Sequence, residues 1–282
     1  MAKILGGKEV AAALDERMKG DIAALAEKGV TPTLAILRVG EKDADIVYER
    51  NATKRCDAVG VKVKNVLLPA DVQQDELMKT VNELNNDPAV HGILMFRPLP
   101  EHLDGEAVRK ALNPDKDVDG ITDISLGGVF SGAPVGFPPC TAQAVMEILD
   151  YYGYDIKGKN VCVIGHSLVV GRPAALMALS RDATINVCHI FTKDTPAYSR
   201  MADIVIVAVG KAGLVTAKYL SEGQTVIDVG INVVDGKTCG DVAFDQAEPI
   251  VDAISPVPGG VGSVTSCVLV SHVVEAAKRS IK

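Results

Sequence analysis

Hydrophobic residues recur every three to four positions near the start of the chain. This spacing, from Val10 to Leu25, places apolar side chains on one face of a helix, which we expect to end near Gly29. Apolar runs and helix-like stretches then alternate: a strand at 33–39, a helix at 43–59, a strand at 61–68, a helix around 77–84 and a strand at 92–96. Strands separated by helices of about ten or more residues predict βαβ units and a mostly parallel sheet.

A second series of the same kind follows a proline-dense segment, Pro134 to Thr141, which we interpret as an interdomain connection. The elements predicted after it are strands at 160–165, 184–191, 203–210 and 225–230, a helix at 171–181 and a closing helix at 263–280. The predicted fold class is therefore α/β, with two domains. The length of 282 residues agrees with this, because a domain usually contains roughly 100–200 residues.

Composition narrows the classes of partner and compartment. The net charge of −7 and the lack of a Lys/Arg run argue against nucleic acid and membrane partners, and no apolar segment predicts a signal peptide or a membrane span. Six cysteines without a C-x-x-C pair are expected to be reduced. No spacing of histidines or cysteines predicts a metal site. We therefore expect a cytoplasmic protein without a metal.

The segment 161–176 has the pattern of a strand, a tight turn and a helix. Such a turn presents free backbone N–H groups and a helix N-terminus to a pyrophosphate. Gly165 and Gly171 are present, but Ser167 takes the second position of the G-x-G-x-x-G fingerprint and Val170 the third. By itself the turn is as compatible with simple packing as with cofactor binding.

Two more apolar strands end in glycine-containing loops, at Gly210 and Gly230. Ligands bind at this carboxyl edge in doubly wound sheets, so the loops and the turn together favour a ligand site. The second strand ends at 189–192, where an acidic residue would hold the ribose of NAD or a basic one a 2′-phosphate. Residues 189–192 offer neither of these choices plainly, although Lys193 lies one residue beyond.

Two further segments have unusual composition. The acidic run 112–122, LNPDKDVDGIT, is compatible with an ordinary turn, because the rest of an EF-hand ligand pattern is missing. The segment 255–265 contains PVPGGVG, in which prolines and glycines alone account for five of seven positions. A surface loop rarely requires such a backbone, so we favour a functional role for this segment.

Six strings show which family the chain resembles: GILMFRPLP, NPDKDVDGIT, PPCT, GHSLVVGRP, TVIDVGIN and PVPGGVG. In this order and at these separations they resemble the bifunctional methylenetetrahydrofolate dehydrogenase/cyclohydrolase family, over nearly the whole chain. The resemblance implies an N-terminal α/β folate-binding catalytic domain, residues 1–140, which is joined by the C-terminal helix 265–282. It also implies a Rossmann-like doubly wound NAD(P)-binding domain, residues 141–264, and a homodimer.

The resemblance also implies roles for particular residues. Tyr48 matches the tyrosine that stacks on the folate, and Asp119 matches the aspartate that holds the pterin. In the loop over the substrate, the expected contacts are Pro256, Pro258, Gly259 and Gly260. With the glycines of the turns described above, the expected cofactor-binding residues are Gly165, His166, Ser167, Gly171, Ile190, Gly210 and Ile231.

Four positions depart from the family pattern. The family has a catalytic lysine four residues after the tyrosine, and this chain has Ala52 there. The usual string GILVQLPLP is replaced by GILMFRPLP, so that Phe96 stands in place of a glutamine and Arg97 in place of a leucine. The usual PCTP also ends here in Ala142.

These observations predict hydride transfer from 5,10-methylenetetrahydrofolate to NADP or NAD, with cyclohydrolase activity weak or absent because Ala52 cannot act as a base. Two alternatives stay open: a full bifunctional enzyme that yields 10-formyltetrahydrofolate, and a non-catalytic folate- or nucleotide-binding protein. Because Ile190 gives a 2′-phosphate no bidentate partner, we expect NAD to be accepted, although His166 and Lys193 could serve NADP.

Overall fold

The computed structural model describes residues 1–281, and of Ala44 it describes the backbone alone. By its internal contacts the chain divides into two units. The six-stranded unit comprises Met1–Ala12 and Thr141–Thr265, and the three-stranded unit comprises Ala13–Cys140 and the residues from Ser266 onward. The predicted domain limits stay a prediction, and the contact-based division differs from them chiefly in the first twelve residues.

Strands and helices alternate through much of both units. The strands are β1 (Lys3–Ile4), β2 (Thr33–Val39), β3 (Lys62–Leu68), β4 (Gly92–Met95), β5 (Asn160–Ile164), β6 (Thr184–Cys188), β7 (Ile204–Val207), β8 (Thr225–Asp228), β9 (Asn232–Val234), β10 (Lys237–Cys239) and β11 (Ala253–Ile254). The helices are α1 (Gly7–Ala26), α2 (Asp43–Val59), α3 (Gln74–Asn86), α4 (Gly105–Ala111), α5 (Asp123–Ser131), α6 (Cys140–Tyr151), α7 (Gly171–Leu179), α8 (Thr195–Arg200), α9 (Phe244–Ala247) and α10 (Val261–Arg279).

The three-stranded unit is built on a parallel sheet in the order β3-β2-β4. Its central strand, β2, reads as a nearly continuous apolar run because helices cover a parallel sheet on both faces. Leu77, Val81 and Leu84 of α3 are buried in the core beside β2 and β4, as their helical spacing predicts. An ion pair of 2.6 Å between Arg38 Nε and Glu49 Oε2 ties α2 to β2.

The six-stranded unit contains a parallel sheet in the order β1-β11-β8-β7-β5-β6. From β5 the chain first passes to β6 on one side and then crosses to β7 on the other. This reversal is the topological switch point of a doubly wound sheet, beside which ligands bind at the carboxyl ends of the strands. The predicted α/β class and the doubly wound parallel sheet are confirmed.

Some predicted boundaries were wrong for local reasons. The strand predicted at 184–191 ends at Cys188, because His189 N donates to Thr192 Oγ1 (2.9 Å) and Phe191 N donates to His189 Nδ1 (3.2 Å), which closes a turn. The helices α4, α5, α6, α8 and α9 and the short strands β1, β9, β10 and β11 were not predicted. A strand of two or three residues is too short for an alternation of apolar and polar positions to be recognised in the sequence. The last residue of the predicted helix 265–282 lies outside the described residues.

Candidate active site

The strand, turn and helix predicted around Gly165 are present as β5, a turn and α7. Gly165 has a φ of +119°, and a Cβ there would lie 2.1 Å from the carbonyl oxygen of Ala208. A Cβ at Gly171 would lie 2.2 Å from the carbonyl oxygen of Gly165. Both positions therefore require glycine. Gly171 provides the close helix–strand approach of the last fingerprint glycine, one residue later than the standard spacing.

The backbone N–H groups of this turn are available to a ligand. Ser167 Oγ accepts a hydrogen bond from Val170 N (3.1 Å), and Ser167 O accepts one from Arg172 N (3.0 Å). The four residues 166–169 are exposed, and their N–H groups have no hydrogen-bond partner within residues 1–281. Together with the positive end of the α7 dipole, these donors fit a pyrophosphate.

A buried carboxylate that the sequence analysis missed organises the neighbouring loops. Asp241 accepts hydrogen bonds from the backbone N–H groups of Val209 (2.6 Å) and Gly210 (2.8 Å) and from Asn232 Nδ2 (2.9 Å). Val209 and Gly210 follow β7, whereas Asn232 begins β9 just beyond β8. One side chain therefore fixes the predicted cofactor residue Gly210 and the loop that contains Ile231.

A second buried carboxylate, Asp228 at the end of β8, supports the first. It accepts hydrogen bonds from the backbone N–H groups of Gly230 (3.0 Å), Asp241 (3.1 Å) and Val242 (2.9 Å). Burial raises the pKa of Asp228 to about 6, and these hydrogen bonds oppose the increase. An acidic residue at the end of an apolar strand was the sequence signal that could have revealed Asp228. A carboxylate buried at such a position requires hydrogen-bond donors from the neighbouring backbone.

The end of β6, where a cofactor's ribose would be recognised, is lined by two imidazoles. The ring centroids of His166 and His189 lie 5.0 Å apart. Ile190 is 88% exposed and Phe191 is 81% exposed, so neither side chain is held in the core. The turn brings His166, Ile190 and the Gly165 loop to one edge of the sheet, with no carboxylate at 189–192 for the ribose.

The proline- and glycine-rich segment 256–262 lies in the six-stranded unit, where it follows β11 and includes the first two residues of α10. Gly259 has a φ of +98°, and its carbonyl oxygen accepts a hydrogen bond from Gly7 N (2.7 Å). Gly7 cannot carry a side chain, because a Cβ there would lie 2.2 Å from the carbonyl oxygen of Gly260. A cavity of about 240 Å³ adjoins this segment and is lined in part by Ile231, Pro256, Pro258, Gly259 and Gly260.

In the three-stranded unit, an aromatic contact joins α2 to the end of β4. The ring centroids of Tyr48 and Phe96 lie 5.3 Å apart at an interplanar angle of 63°, an edge-to-face arrangement. Phe96 is buried, whereas Tyr48 is 48% exposed and so offers part of its ring to a ligand. Desolvation, and then the charge of Asp119, raise the pKa of Tyr48 to about 12, so its phenol is protonated at neutral pH.

Asp119 lies close to this pair, with 32% of its side chain exposed. Its Oδ2 atom is 3.8 Å from Arg97 Nη2. Burial raises the pKa of Asp119 to about 6, the guanidinium of Arg97 opposes this increase, and the carboxylate of Asp117 adds to it. The site therefore contains a carboxylate that is ionised at neutral pH and protonates in mild acid.

The acidic run 112–122 contains three carboxylates: Asp117 is buried, Asp119 is half-buried and Asp115 is exposed. Asp117 is fully buried and accepts hydrogen bonds from Ile121 N (3.0 Å), Thr122 N (2.8 Å) and Ser125 Oγ (2.7 Å). These bonds shape the turn that presents Asp119. The ordinary-turn interpretation thus describes Asp117, while Asp119 is partly exposed and can accept hydrogen bonds from a ligand.

Ala52 is buried on α2 beside a cavity of about 270 Å³. The cavity is lined by Tyr48, Asn51, Ala52, Lys54, Arg55, Ala58, Ser266 and Leu269. Arg55 Nη2 is paired with Asp15 Oδ1 at 2.5 Å. The space next to position 52 is therefore open enough for a longer side chain, and its nearest guanidinium is engaged elsewhere.

In the described part of the chain, no three or more His, Cys, Asp or Glu side chains are grouped so as to hold a metal ion. No helix among residues 1–281 is long and apolar enough to cross a membrane.

Known proteins resemble this chain along its whole length. Residues 5–119 match the catalytic domain, and residues 139–281 the NAD(P)-binding domain, of tetrahydrofolate dehydrogenase/cyclohydrolase. The bifunctional protein FolD of Alkaliphilus metalliredigens is 48% identical over 99% of each chain. The crystal structure of the bifunctional FolD enzyme from Campylobacter jejuni is 40% identical, covers 99% of each chain and has a TM-score of 0.96. A Trypanosoma brucei methylenetetrahydrofolate dehydrogenase-cyclohydrolase complexed with NADP and an inhibitor is 35% identical over 100% of this chain and 99% of its own, with a TM-score of 0.92. The chain therefore belongs to the tetrahydrofolate dehydrogenase/cyclohydrolase family.

Proposed function

We propose that the protein oxidises 5,10-methylenetetrahydrofolate to 5,10-methenyltetrahydrofolate, with NADP or NAD as the hydride acceptor. The observation that supports the proposal is that a chain of this family combines a glycine turn at Gly165, whose free N–H groups suit a pyrophosphate, with an aromatic–carboxylate pair, Tyr48 and Asp119, suited to a pterin. The names of the relatives from Campylobacter and Trypanosoma include this dehydrogenase activity.

In this proposal, Tyr48 and Asp119 hold the folate. A pterin presents an amino group and a ring N–H, and an ionised carboxylate accepts hydrogen bonds from such donors. The open part of the Tyr48 ring offers a surface on which the pterin stacks.

The product cation of the hydride transfer is delocalised over two nitrogens. The protein's contribution is therefore mainly to hold the reacting carbons in contact and to exclude water.

The six-stranded unit contributes the cofactor contacts. When bound, the nicotinamide nucleotide supplies the two-electron acceptor for the hydride. The N–H groups of 166–169 and the N-terminus of α7 bind its pyrophosphate, and the loops at Gly210 and Ile231, fixed by Asp241, orient the rest. The NADP complex of the Trypanosoma relative supports NADP. Acceptance of NAD stays a prediction from Ile190.

The experiment that tests this function uses purified protein, methylenetetrahydrofolate and either nucleotide. We expect methenyl absorbance to appear with NADP and, because no side chain at 189–192 discriminates strongly, also with NAD. Initial rates with each nucleotide give the preference. No methenyl formation with either one would contradict the proposal and would favour a non-catalytic folate- or nucleotide-binding protein. A strong preference for NADP would contradict the expectation for NAD.

We further propose that cyclohydrolase activity is weak or absent. The names of the relatives support the alternative, a full bifunctional enzyme, better than they support this loss. The observation that favours the loss is specific to this chain, because Ala52 and Phe96 replace both polar residues that the family resemblance leads us to expect beside Tyr48. An alanine and a phenylalanine cannot transfer a proton to or from water.

The homodimer, the cytoplasmic location and the substrate loop at Pro256–Gly262 likewise stay proposals.

A bulky residue at position 167 should block the nucleotide turn. We expect Ser167→Phe to raise the KM for the nicotinamide nucleotide by about tenfold or more, since its ring would cover N–H groups whose hydrogen bonds to an anion contribute about 1.5–3 kcal/mol each. The KM for the folate should change little. Steady-state kinetics with each substrate varied in turn measures both values.

Ser167→Ala is the matched control for this variant. It removes the same hydrogen bond to Val170 N without filling the turn. We expect it to lower the free energy of unfolding by about 1 kcal/mol, the usual effect of one lost hydrogen bond, while the nucleotide still binds. If Ser167→Phe binds the nucleotide as tightly as Ser167→Ala does, the cofactor site lies elsewhere.

A further inference from the structure

The cations of the three-stranded unit are distributed differently from what the family resemblance leads us to expect. Position 52, near Tyr48, holds alanine in place of lysine, and position 97 holds arginine in place of leucine. Arg97 Nη2 lies 3.8 Å from Asp119 Oδ2, and the two side chains are 38% and 32% exposed. Compared with the family pattern, the chain thus has one cation fewer beside Tyr48 and one more beside Asp119.

The groups that face Asp119 come from several elements. Arg97 follows β4, Asp117 belongs to the same turn as Asp119, Cys140 begins α6, and Tyr48 lies on α2. Asp117 repels a second negative charge, and the Cys140 thiol and the Tyr48 phenol are neutral at neutral pH because burial raises their pKa values. Of these neighbours, Arg97 supplies the positive charge that favours an ionised Asp119, and the Cys140 thiol adds a hydrogen bond that favours it to a smaller extent.

We propose that Arg97 is a positioning residue for substrate recognition, which keeps the Asp119 carboxylate ionised and oriented toward the pterin at neutral pH. This inference rests on the proposed function. An ionised carboxylate accepts hydrogen bonds from two donors, whereas a protonated carboxyl group must present one O–H of its own. A pterin edge with two donors therefore binds the ionised form.

The ion pair between Arg97 and Asp119 affects the charge of Asp119 in the pH range where this carboxyl group titrates. Burial raises the pKa of Asp119 to about 6, and Arg97 opposes that increase. Removal of Arg97 therefore raises this pKa further, and the ionised fraction falls at every pH near neutrality. An adjacent opposite charge lowers a carboxyl pKa by about 1–3 pH units, and we expect the low end here because the pair is partly exposed.

Arg97→Gln tests the proposal, because it removes the charge and keeps a polar side chain of moderate length. Methenyltetrahydrofolate reduction should be measured between about pH 5.5 and 8, since the acid limb of kcat/KM reports the free enzyme's essential base. We expect this limb to move up by about one pH unit, with a loss of up to about tenfold near pH 6 and little change near pH 8. Arg97→Lys should restore most of the original profile.

Lys64→Leu is a matched control, because it removes one cation from another partly exposed ion pair of the same unit, that with Asp87. Its acid limb should coincide with that of the unmodified protein. A shift of equal size in Lys64→Leu would mean that net charge alone is responsible, and would overturn the role of Arg97.

A titration of the Asp119 carboxyl carbon by ¹³C NMR provides a readout that does not depend on activity, with the resonance assigned by Asp119→Asn. We expect a higher pKa in Arg97→Gln than in the unmodified protein. An unmoved titration, or an unmoved acid limb, overturns the inference. If the unmodified protein has no dehydrogenase activity, the proposed function fails, and the recognition role fails with it whatever the titration shows.

Discussion

The double substitution Ala52→Lys, Phe96→Gln should raise the rate of methenyltetrahydrofolate hydrolysis by about 10²–10⁴-fold, because general acid–base catalysis typically contributes a factor of this size. Hydrolysis of the methenyl cation requires that a water be activated and that protons move. The unmodified chain has no lysine at position 52 and no amide at position 96. The loss of methenyl absorbance, followed with and without each protein, measures the rate.

The structure provides room for the introduced lysine. Position 52 lies beside a cavity of about 270 Å³ that Tyr48 also lines. At about 100° per residue, position 52 is about 40° from Tyr48 around α2, whereas Lys54 points about 120° away. Arg55 is held by Asp15, and a guanidinium offers no acceptor for a proton. Lys54 lines the same cavity but lies on a different side of α2 from Tyr48, so it is less well placed than position 52 to supply the missing base.

Ala58→Lys, combined with Phe96→Gln, is the matched control, since Ala58 lines the same cavity from another position on α2. It should leave hydrolysis near the background rate. Hydride transfer needs no such base and should persist in all of these variants. Rapid, enzyme-dependent hydrolysis by the unmodified chain would contradict the proposed loss and establish the full bifunctional alternative.

Asp119→Asn should lower kcat/KM for the folate by about 10²-fold or more and, at the same time, make the protein more stable at neutral pH. Hydrogen bonds to a charged group contribute about 1.5–3 kcal/mol each, and about 1.4 kcal/mol corresponds to a factor of ten. An amide offers one acceptor where the carboxylate offers two, and its NH₂ group faces the pterin donors. Kinetics with varied folate measures the first effect.

The effect on stability follows from the raised pKa. Burial raises the pKa of Asp119 from 3.8 to about 6, so the folded state holds this proton more tightly than the unfolded state does. Ionisation above pH 6 therefore costs the folded state free energy, and the cost disappears as the pH falls below about 4. At about 1.4 kcal/mol per pH unit the cost is at most about 3 kcal/mol, and partial exposure reduces it to about 1–2 kcal/mol.

Urea unfolding at pH 7.5 and at pH 4 measures this difference. Asp119→Asn should be the more stable protein at pH 7.5, and the two proteins should converge at pH 4. Asp117→Asn is the contrasting control, because Asp117 is fully buried and accepts three hydrogen bonds, which an amide cannot all replace. That variant should be less stable at pH 7.5. A less stable Asp119→Asn at pH 7.5 would contradict the expected cost of ionisation.

Local periodicity and short motifs were enough for much of the fold and for the family. The spacing of Leu77, Val81 and Leu84 predicts α3, and the apolar run at 33–39 predicts β2, because each pattern lies within one element. The six motif strings indicated the family from which the site residues were proposed. Counting along α2 from Tyr48 also revealed Ala52, since a missing residue type is visible without coordinates.

The partners of the polar side chains were decided by the tertiary structure alone. Asp241 binds Val209 N and Gly210 N, which lie about thirty residues earlier in the chain, and no local pattern pairs such segments. The same holds for the 3.8 Å approach of Arg97 to Asp119 and for the cavity beside Ala52. The sequence by itself determined which groups are present and which elements carry them. Their distances, burial and charges depend on long-range packing, because that packing sets how far each group is removed from water.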